Sequence, residues 1–591
     1  MTLRLNQRAR SRGAVVLAFT ALTSLQLVLA CADDDADTSD KQESGGSNQG
    51  GEAGAPTTGG RDGSGGKKST GGSNNLGGDG PGTGGSDTGG SGGTESGGSG
   101  GTGGDGSGGT LVDPIPDLYV NTPAELADIS ASNYDLNEHG LVTGKTLRRW
   151  YDNWEENRPA GVTGRLVVLQ IVPSGVISYQ HLTPKEEDGV LTYFVPAAEL
   201  NKARDNGLSS FETDIPDGEA ADKFLKKYGL DPRKDLIVLT FETQSASATA
   251  NSVVHSVGRA WLFLRYWGVP KENLALLNGS INWNSQQVGG LPLSRVAQGK
   301  SSTPPNNGTT TVRHLGNDNT SLVISAEEVI AILKDEDPSV AKENLRIVDA
   351  RGGAEAYGLK KASSTGQTTC PNYTTTAPNN RCSTPFEGRI ARAESVPWTQ
   401  FLDTLENGYR FKSKSTIQAI FDTQSGWTSQ TRPSTGEPWG GVADWTIQFC
   451  RTNQRSTVTG IVANVILGYP TRFYETSYIE WGHLAYHPTA ESGQVLAENS
   501  PFRTDLPGIS EHAELWNEDD SPYEYTPGTA FDAAAFLAGG GKVTWHEGPQ
   551  YNDEGDIPLK SETWPKVNTE STTSRLAIDA DRAYLQGTEE P

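Results

Sequence analysis

The sequence predicts an α/β protein in two halves, each a parallel sheet covered by helices, carried on a Gly/Ser-rich tether and followed by a C-terminal extension. Three observations lead there. From about residue 140 onwards, short β-prone runs alternate with amphipathic stretches, the pattern of parallel strands joined by helices. The same order of strand, polar loop, helix and strand occurs twice: DLIVLTFE, TQSASATANS, a helix and LALLNG, then WTIQF, CRTNQRS, a helix and TRFYE. Nearly all the Trp, Tyr and Phe lie after residue 111, so any core lies there too.

In chain order, four arginines precede an apolar stretch from Gly13 to Ala30, the layout of a secretory signal. Ser24, Gln26 and the threonines interrupt it, which argues against a membrane-spanning anchor. Val-Leu-Ala-Cys at its end resembles the bacterial lipoprotein lipobox. That resemblance implies a signal peptide over residues 1–30, lipidation of Cys31, and an exported, membrane-anchored protein of the cell envelope, facing the periplasm or the surface. Residues 31–110 carry almost no apolar side chains, so ordering them would cost backbone entropy with nothing buried in return. A Gly-rich coil of about 65 residues reaches on the order of 45 Å. The folded part is expected as a first half over 111–302, a linker over 303–320, a second half over 321–487 and an extension over 488–591. The net charge of −24 argues against nucleic acid as a partner, because phosphate backbones select basic faces.

Of the four cysteines, Cys31 is assigned to the lipid. Cys370 and Cys382 bracket a polar loop, TCPNYTTTAPNNRC, which a disulfide would restrain by about 2–3 kcal/mol. That pairing leaves Cys450 alone. A lone cysteine is by default a small buried apolar residue, so its surroundings must decide.

Cys450 follows the run WTIQF. After it, Val458, Ile461, Val462, Val465 and Ile466 fall on one helix face, with Gly468 as a stop. Strand, loop and helix therefore meet at the cysteine. In the first half Val253, Val257, Trp261 and Leu264 mark the corresponding helix. There Phe241 matches Phe449, WGVP matches LGYP and SINW matches YIEW. The position equivalent to Cys450 is about Glu242, so thiol chemistry belongs to the second half alone.

Several motifs stand in one order: LRIVDAR with Glu355, EGRIARAESVPW, FCRTNQRS and LGYPTRFYETSYIEW. In that order they resemble the tandem-domain rhodaneses, the thiosulfate and mercaptopyruvate sulfurtransferases. The resemblance runs over roughly residues 140 to 487. It implies two rhodanese-like domains, the first without chemistry and lining a cleft, and a persulfide formed on Cys450. Arg451, Thr452, Asn453, Gln454, Arg455 and Ser456 would be its substrate-binding loop. Three departures stand out: Arg389 replaces the family histidine, Ala391 and Arg392 replace Pro-Gly, and Asn453 replaces glycine. Asparagine tolerates left-handed backbone angles better than most residues, so the loop is expected to survive.

Sulfane-sulfur transfer needs a thiolate that attacks an outer sulfur, keeps it as a persulfide and releases it to a thiol or cyanide. A helix N-terminus presents free amide hydrogens and a positive dipole end to such an anion. Arg451 and Arg455 suit an anionic donor, and Ser456 and Thr457 are expected as N-caps. The Cys450-x4-Arg455 spacing makes a six-residue loop. A phosphatase loop on the same scaffold needs one residue more, and the residue at that position is Ser456. Asp349 and Arg351 are read first as a sheet-end ion pair that shapes the site, and Arg389 as a solvated or interdomain contact. His483 and His487, four apart, and the acidic YNDEGDIP give no metal site, and no cofactor is expected. The extension is read as wrapping the second half, with a helix near SRLAIDADRAYL. The expected function is a monomeric sulfurtransferase with a small anionic donor. The alternative is a non-enzymatic binding or sulfur-sensing module on the same scaffold.

Overall fold

The structure, a computed structural model, describes residues 134–173, 180–243, 252–295, 301–334, 345–352, 356, 389–390, 393–423, 445–485, 513–516, 518–519, 521, 539–545, 566–567 and 573–587. Cys31 and the segments around it, Glu355, Cys370, Cys382, Ala391, Arg392, His487 and YNDEGDIP lie outside the described residues.

The first half forms a sheet from β1 (Gly140–Val142), β2 (Leu166–Val172), β3 (Val190–Pro196), β4 (Leu236–Thr240) and β5 (Leu274–Leu277). The second half uses β6 (Val323–Ile324), β7 (Leu345–Asp349), β8 (Glu394–Ser395), β9 (Trp445–Phe449) and β10 (Thr471–Tyr474). In space the orders are β1-β5-β4-β2-β3 and β6-β10-β9-β7-β8. Every neighbouring pair within these two sheets is parallel. The two orders are the same: the first strand takes an edge, and the fourth sits between the second and the fifth. The repeat in the sequence is thus a repeat of topology. Every residue of β2, β4 and β9 is buried, as a parallel sheet covered on both faces requires.

Helices α1 (Gly144–Asp152), α2 (Gly218–Tyr228) and α3 (Ser252–Tyr266) belong to the first half. The second contains α4 (Ala326–Lys334), α5 (Lys414–Thr423), α6 (Arg455–Ile461) and α7 (Ser477–Ala485). Helix α6 runs on as a π-helical turn over Val462–Ile466, closed by Leu467 N donating to Val462 O at 2.9 Å. Gly468 then turns left-handed at φ 75°, the expected stop.

The core lies in three layers. One cluster covers the outer face of the first sheet with Trp150, Val168 and Leu277, and another covers the second with Ile347, Phe449 and Trp481. The largest runs between the halves and joins Leu169, Leu239 and Trp261 to Val458, Ile461 and Phe473. Trp261 and Phe473 meet edge to face there, with ring centres 6.3 Å apart. Keeping this shared layer out of water, at about 25 cal/mol per Å² of apolar surface, holds the two halves together. Within it α3 crosses α6 at Gly258, where a Cβ would stand 2.3 Å from Thr457 Oγ1.

The described parts of the extension include the expected helix and reach the first half as well as the second that they are expected to wrap. Lys566–Val567 pairs antiparallel with Ser209 and Ser210 of the first half. Helix α8 (Leu576–Gln586) touches both halves. Asp581 accepts from Arg204 at 2.7 and 2.8 Å and from the Tyr266 hydroxyl at 2.7 Å, while Ser574 Oγ, just before the helix, accepts from Glu327 N at 3.0 Å. Asp581 is almost wholly buried and meets its guanidinium partner, Arg204, in the first half, while Ile578 joins the shared core and Tyr584 packs edge to face on Trp267.

Candidate active site

The site is built where β7 and β9 end side by side. Asp349 is in register with Phe449, and Ala350 N donates to Phe449 O at 2.9 Å. Arg351 and Cys450 therefore leave the sheet at the same edge, the carboxyl ends of its central strands. Open parallel sheets place their ligand sites at that edge. Arg351 folds back on Asp349 through Nε at 2.9 Å and Nη2 at 2.6 Å, and neither side chain is exposed. Its guanidinium lies over the Tyr478 ring at 4.1 Å, and Ser395 Oγ donates to its carbonyl at 3.0 Å.

Cys450 is free and 1 % exposed. Its peptide atoms are held by the start of α7: Ser477 Oγ accepts from Cys450 N at 3.4 Å, and Tyr478 N donates to Cys450 O at 3.0 Å. Ile479 N does the same for Arg451 O at 3.0 Å. Ser477 is itself left-handed at φ 55°, and its hydroxyl donates to Tyr474 O at 2.8 Å. The segment Tyr474–Ile479 thus grips the cysteine from behind.

From Cys450 the chain turns through Asn453, at φ 52°, and enters α6 at Arg455. The left-handed angle expected of asparagine at this position is present. Its side chain is also pinned: Nδ2 donates to Glu475 Oε2 at 2.5 Å, and Oδ1 accepts from Ser456 Oγ at 2.5 Å. The capping expectation is corrected. Residue Gln454 occupies the N-cap position and makes no capping bond with its side chain. Ser456 and Thr457 lie inside the first turn, because the turn at Asn453 starts the helix earlier. Their hydroxyls donate backwards, Ser456 to Asn453 and Thr457 to Gln454 O at 2.6 Å.

Arg451, Thr452 and Arg455 are buried with the thiol. Two guanidinium groups and one sulfur therefore share a loop out of bulk water, where charges interact more strongly than at a surface. Arg389 is buried too, at 3 %, which rules out the solvated of the two positions expected of it. An arginine in a core keeps its charge and needs partners there.

The first half supplies groups that the sequence did not single out. Gln454 Nε2 donates to Asn201 Oδ1 at 3.1 Å, and Thr457 Oγ1 stands 3.3 Å from His255 O. The His255 ring stands edge-on to Trp398 at 4.0 Å; burial and the nearby Arg455 charge hold its pKa well below the ordinary value. Glu475 pairs with Arg259 at 2.5 Å and accepts from Ile215 N at 2.8 Å. Burial and the Glu475 carboxylate push the neighbouring Asp214 well above the usual carboxylate range, with Arg204 and Arg259 pulling the other way. The one sequence signal for Glu475 was its place after β10, in the stretch already matched to the first half.

A cavity of about 630 Å³ opens elsewhere, between Lys145 and Trp283 of the first half and Arg410 and Lys412 of the second. None of the loop residues lines it. Among the described residues no group of three or more His, Cys, Asp or Glu is placed to hold a metal ion. His483 lies on α7.

No family model matches the chain. It is 30 % identical over 102 residues to a Mycobacterium leprae protein named "Putative thiosulfate sulfurtransferase SseA". That stretch is 17 % of this chain and spans 28 % of the length of the relative. The structure is similar to the Tum1 protein from Saccharomyces cerevisiae, with 14 % identity and a TM-score of 0.40 over 58 % of this chain and 95 % of that one. It is also similar to 3-mercaptopyruvate sulfurtransferase from Leishmania major, with 12 % identity and a TM-score of 0.36 over 71 % and 96 % of the two chains.

Proposed function

We propose that this protein transfers a sulfane sulfur from a small anionic donor, of the thiosulfate or mercaptopyruvate type, through a persulfide on Cys450. One observation carries the reading: an unpaired cysteine at the carboxyl end of a central strand, with Arg451 and Arg455 buried on the same six-residue loop. In the first step the Cys450 thiolate attacks the outer sulfur of the donor. The donor's bond to that sulfur breaks, and the leaving group, sulfite in the case of thiosulfate, departs with the electron pair. In the second step a thiolate or cyanide takes the outer sulfur and Cys450 returns as the thiolate. The arginines serve the anions that enter and leave. Asp349 and Arg351 shape the sheet edge, and the first half closes one side of the site without chemistry of its own. The partial similarity to a thiosulfate sulfurtransferase supports this at the level of reaction class.

The same reading places the protein in the cell envelope, lipidated at Cys31, with Cys370 and Cys382 joined as a disulfide. A second reading, a binding or sulfur-sensing module, draws on the depth of Cys450, since a site for docking need not open to a donor. Intact mass spectrometry separates transfer from mere binding, and release of the bound sulfur to cyanide as thiocyanate separates it from sensing. Incubation with thiosulfate or mercaptopyruvate is expected to add one sulfur to the wild type and none to Cys450→Ser. No adduct with either donor would sink the transferase and leave the binding module.

A further inference from the structure

We infer that Glu475 is a positioning residue for Cys450, through which the first half of the chain sets the shape of the loop. The starting point is Asn453. Asn453 sits at φ 52°, a left-handed angle that a residue with a Cβ adopts more readily when its side chain is held by hydrogen bonds. What holds it is the Glu475 carboxylate, whose Oε2 accepts from Asn453 Nδ2. The other oxygen faces the first half, where Oε1 accepts from Ile215 N and pairs with Arg259. Arg259 is fixed in turn by the carbonyls of Leu200 and Thr213, at 3.3 and 2.6 Å. A line of contacts thus runs from the first half through Arg259, Glu475 and Asn453 to the loop. Asn453 and Arg259 are wholly buried, and Glu475 is 8 % exposed.

The chemistry demands a carboxylate at this point. Each of its two oxygens meets a donor, a guanidinium and a backbone amide on one side and a side-chain amide on the other. Glutamine has the same shape but must turn its NH₂ toward one of them, setting donor against donor. Glycine at 453 would reach the left-handed angle with no such support.

The test uses the full chain and follows alkylation by iodoacetamide, read at the Cys450 peptide by mass spectrometry. This readout needs no sulfur donor, so it stands apart from the transferase reading; persulfide loading run in parallel tests that reading separately. Glu475→Gln is expected to shift the alkylation rate about tenfold, the scale of a lost hydrogen bond to a charged group. Adding Asn453→Gly to Glu475→Gln is expected to return the rate to near wild type. A wild-type rate in Glu475→Gln, or a changed rate that Asn453→Gly fails to restore, overturns the proposal. If Glu475→Gln does not fold, Asn453→Gly and Asn453→Ala make the same comparison from the loop side. Alanine is then expected to shift the rate further from the wild-type value than glycine does, and equal rates in the two overturn the proposal.

Discussion

At Asp349 and Arg351 two opposite charges sit with none of their side-chain surface in water. Breaking such a pair leaves one charge stranded, whereas replacing both members with apolar groups can cost little. Asp349→Ala is therefore expected to lower stability by about 3–5 kcal/mol, and Asp349→Leu with Arg351→Met to recover most of that loss, both read from urea unfolding. This pair was legible in the sequence because its partners are two positions apart. The angle at Asn453 was legible through the resemblance, because asparagine there replaces a glycine and tolerates a left-handed angle. Glu475 was not. Its partner Ile215 lies 260 positions back, and nothing local to either residue announces the other. The burial of Arg389 was hidden in the same way, because polarity alone favours the surface.

The elements repeat a comparable division. Strand–loop–helix units were readable from apolar spacing, but the strand order that the two halves share was not. The π-helical turn at Val462–Ile466 and the bare start of α6 were not readable either; the second depends on how the chain arrives through Asn453, and nothing in the apolar spacing marks the first. Where α3 meets α6, magnitudes decide the effect of Gly258→Ala. The new methyl gains about 1 kcal/mol in helix propensity. It also stands 2.9 Å from Thr457 Cβ, which no rotamer change can move, and such overpacking costs about 1–3 kcal/mol. A net loss in melting temperature is expected, whereas at an exposed helical glycine the same change would raise it. Helix α2 gives a pH test. Asp217 caps it, and although burial pushes its carboxyl up, the Lys202 ammonium and Ala220 N–H outweigh this and hold it below the ordinary 3.8. A depressed carboxyl stabilises the fold above its unfolded value and loses that contribution as pH falls through the folded value. Asp217→Asn is thus expected to melt lower than wild type at pH 7, by at most about 1 kcal/mol for so exposed a pair. Melting curves taken at successively lower pH should show the gap closing below pH 3.8.

For the whole molecule, the layer shared between the sheets predicts that the halves unfold together, in one transition by both calorimetry and fluorescence. Asp581→Ala strands the Arg204 guanidinium and is expected to cost about 3 kcal/mol, seen as a lower urea midpoint. Two separate transitions in the wild type would show that the shared layer is weaker than its apolar area suggests. The depth of Cys450 has a kinetic meaning at this scale. A sulfur with one per cent of its residue's surface open meets no solute until the walls around it part. Each chemical event then begins with a brief opening, and the observed speed multiplies how often that happens by how fast the sulfur reacts once reached. Reagent size, more than reagent strength, would set which molecules arrive in time.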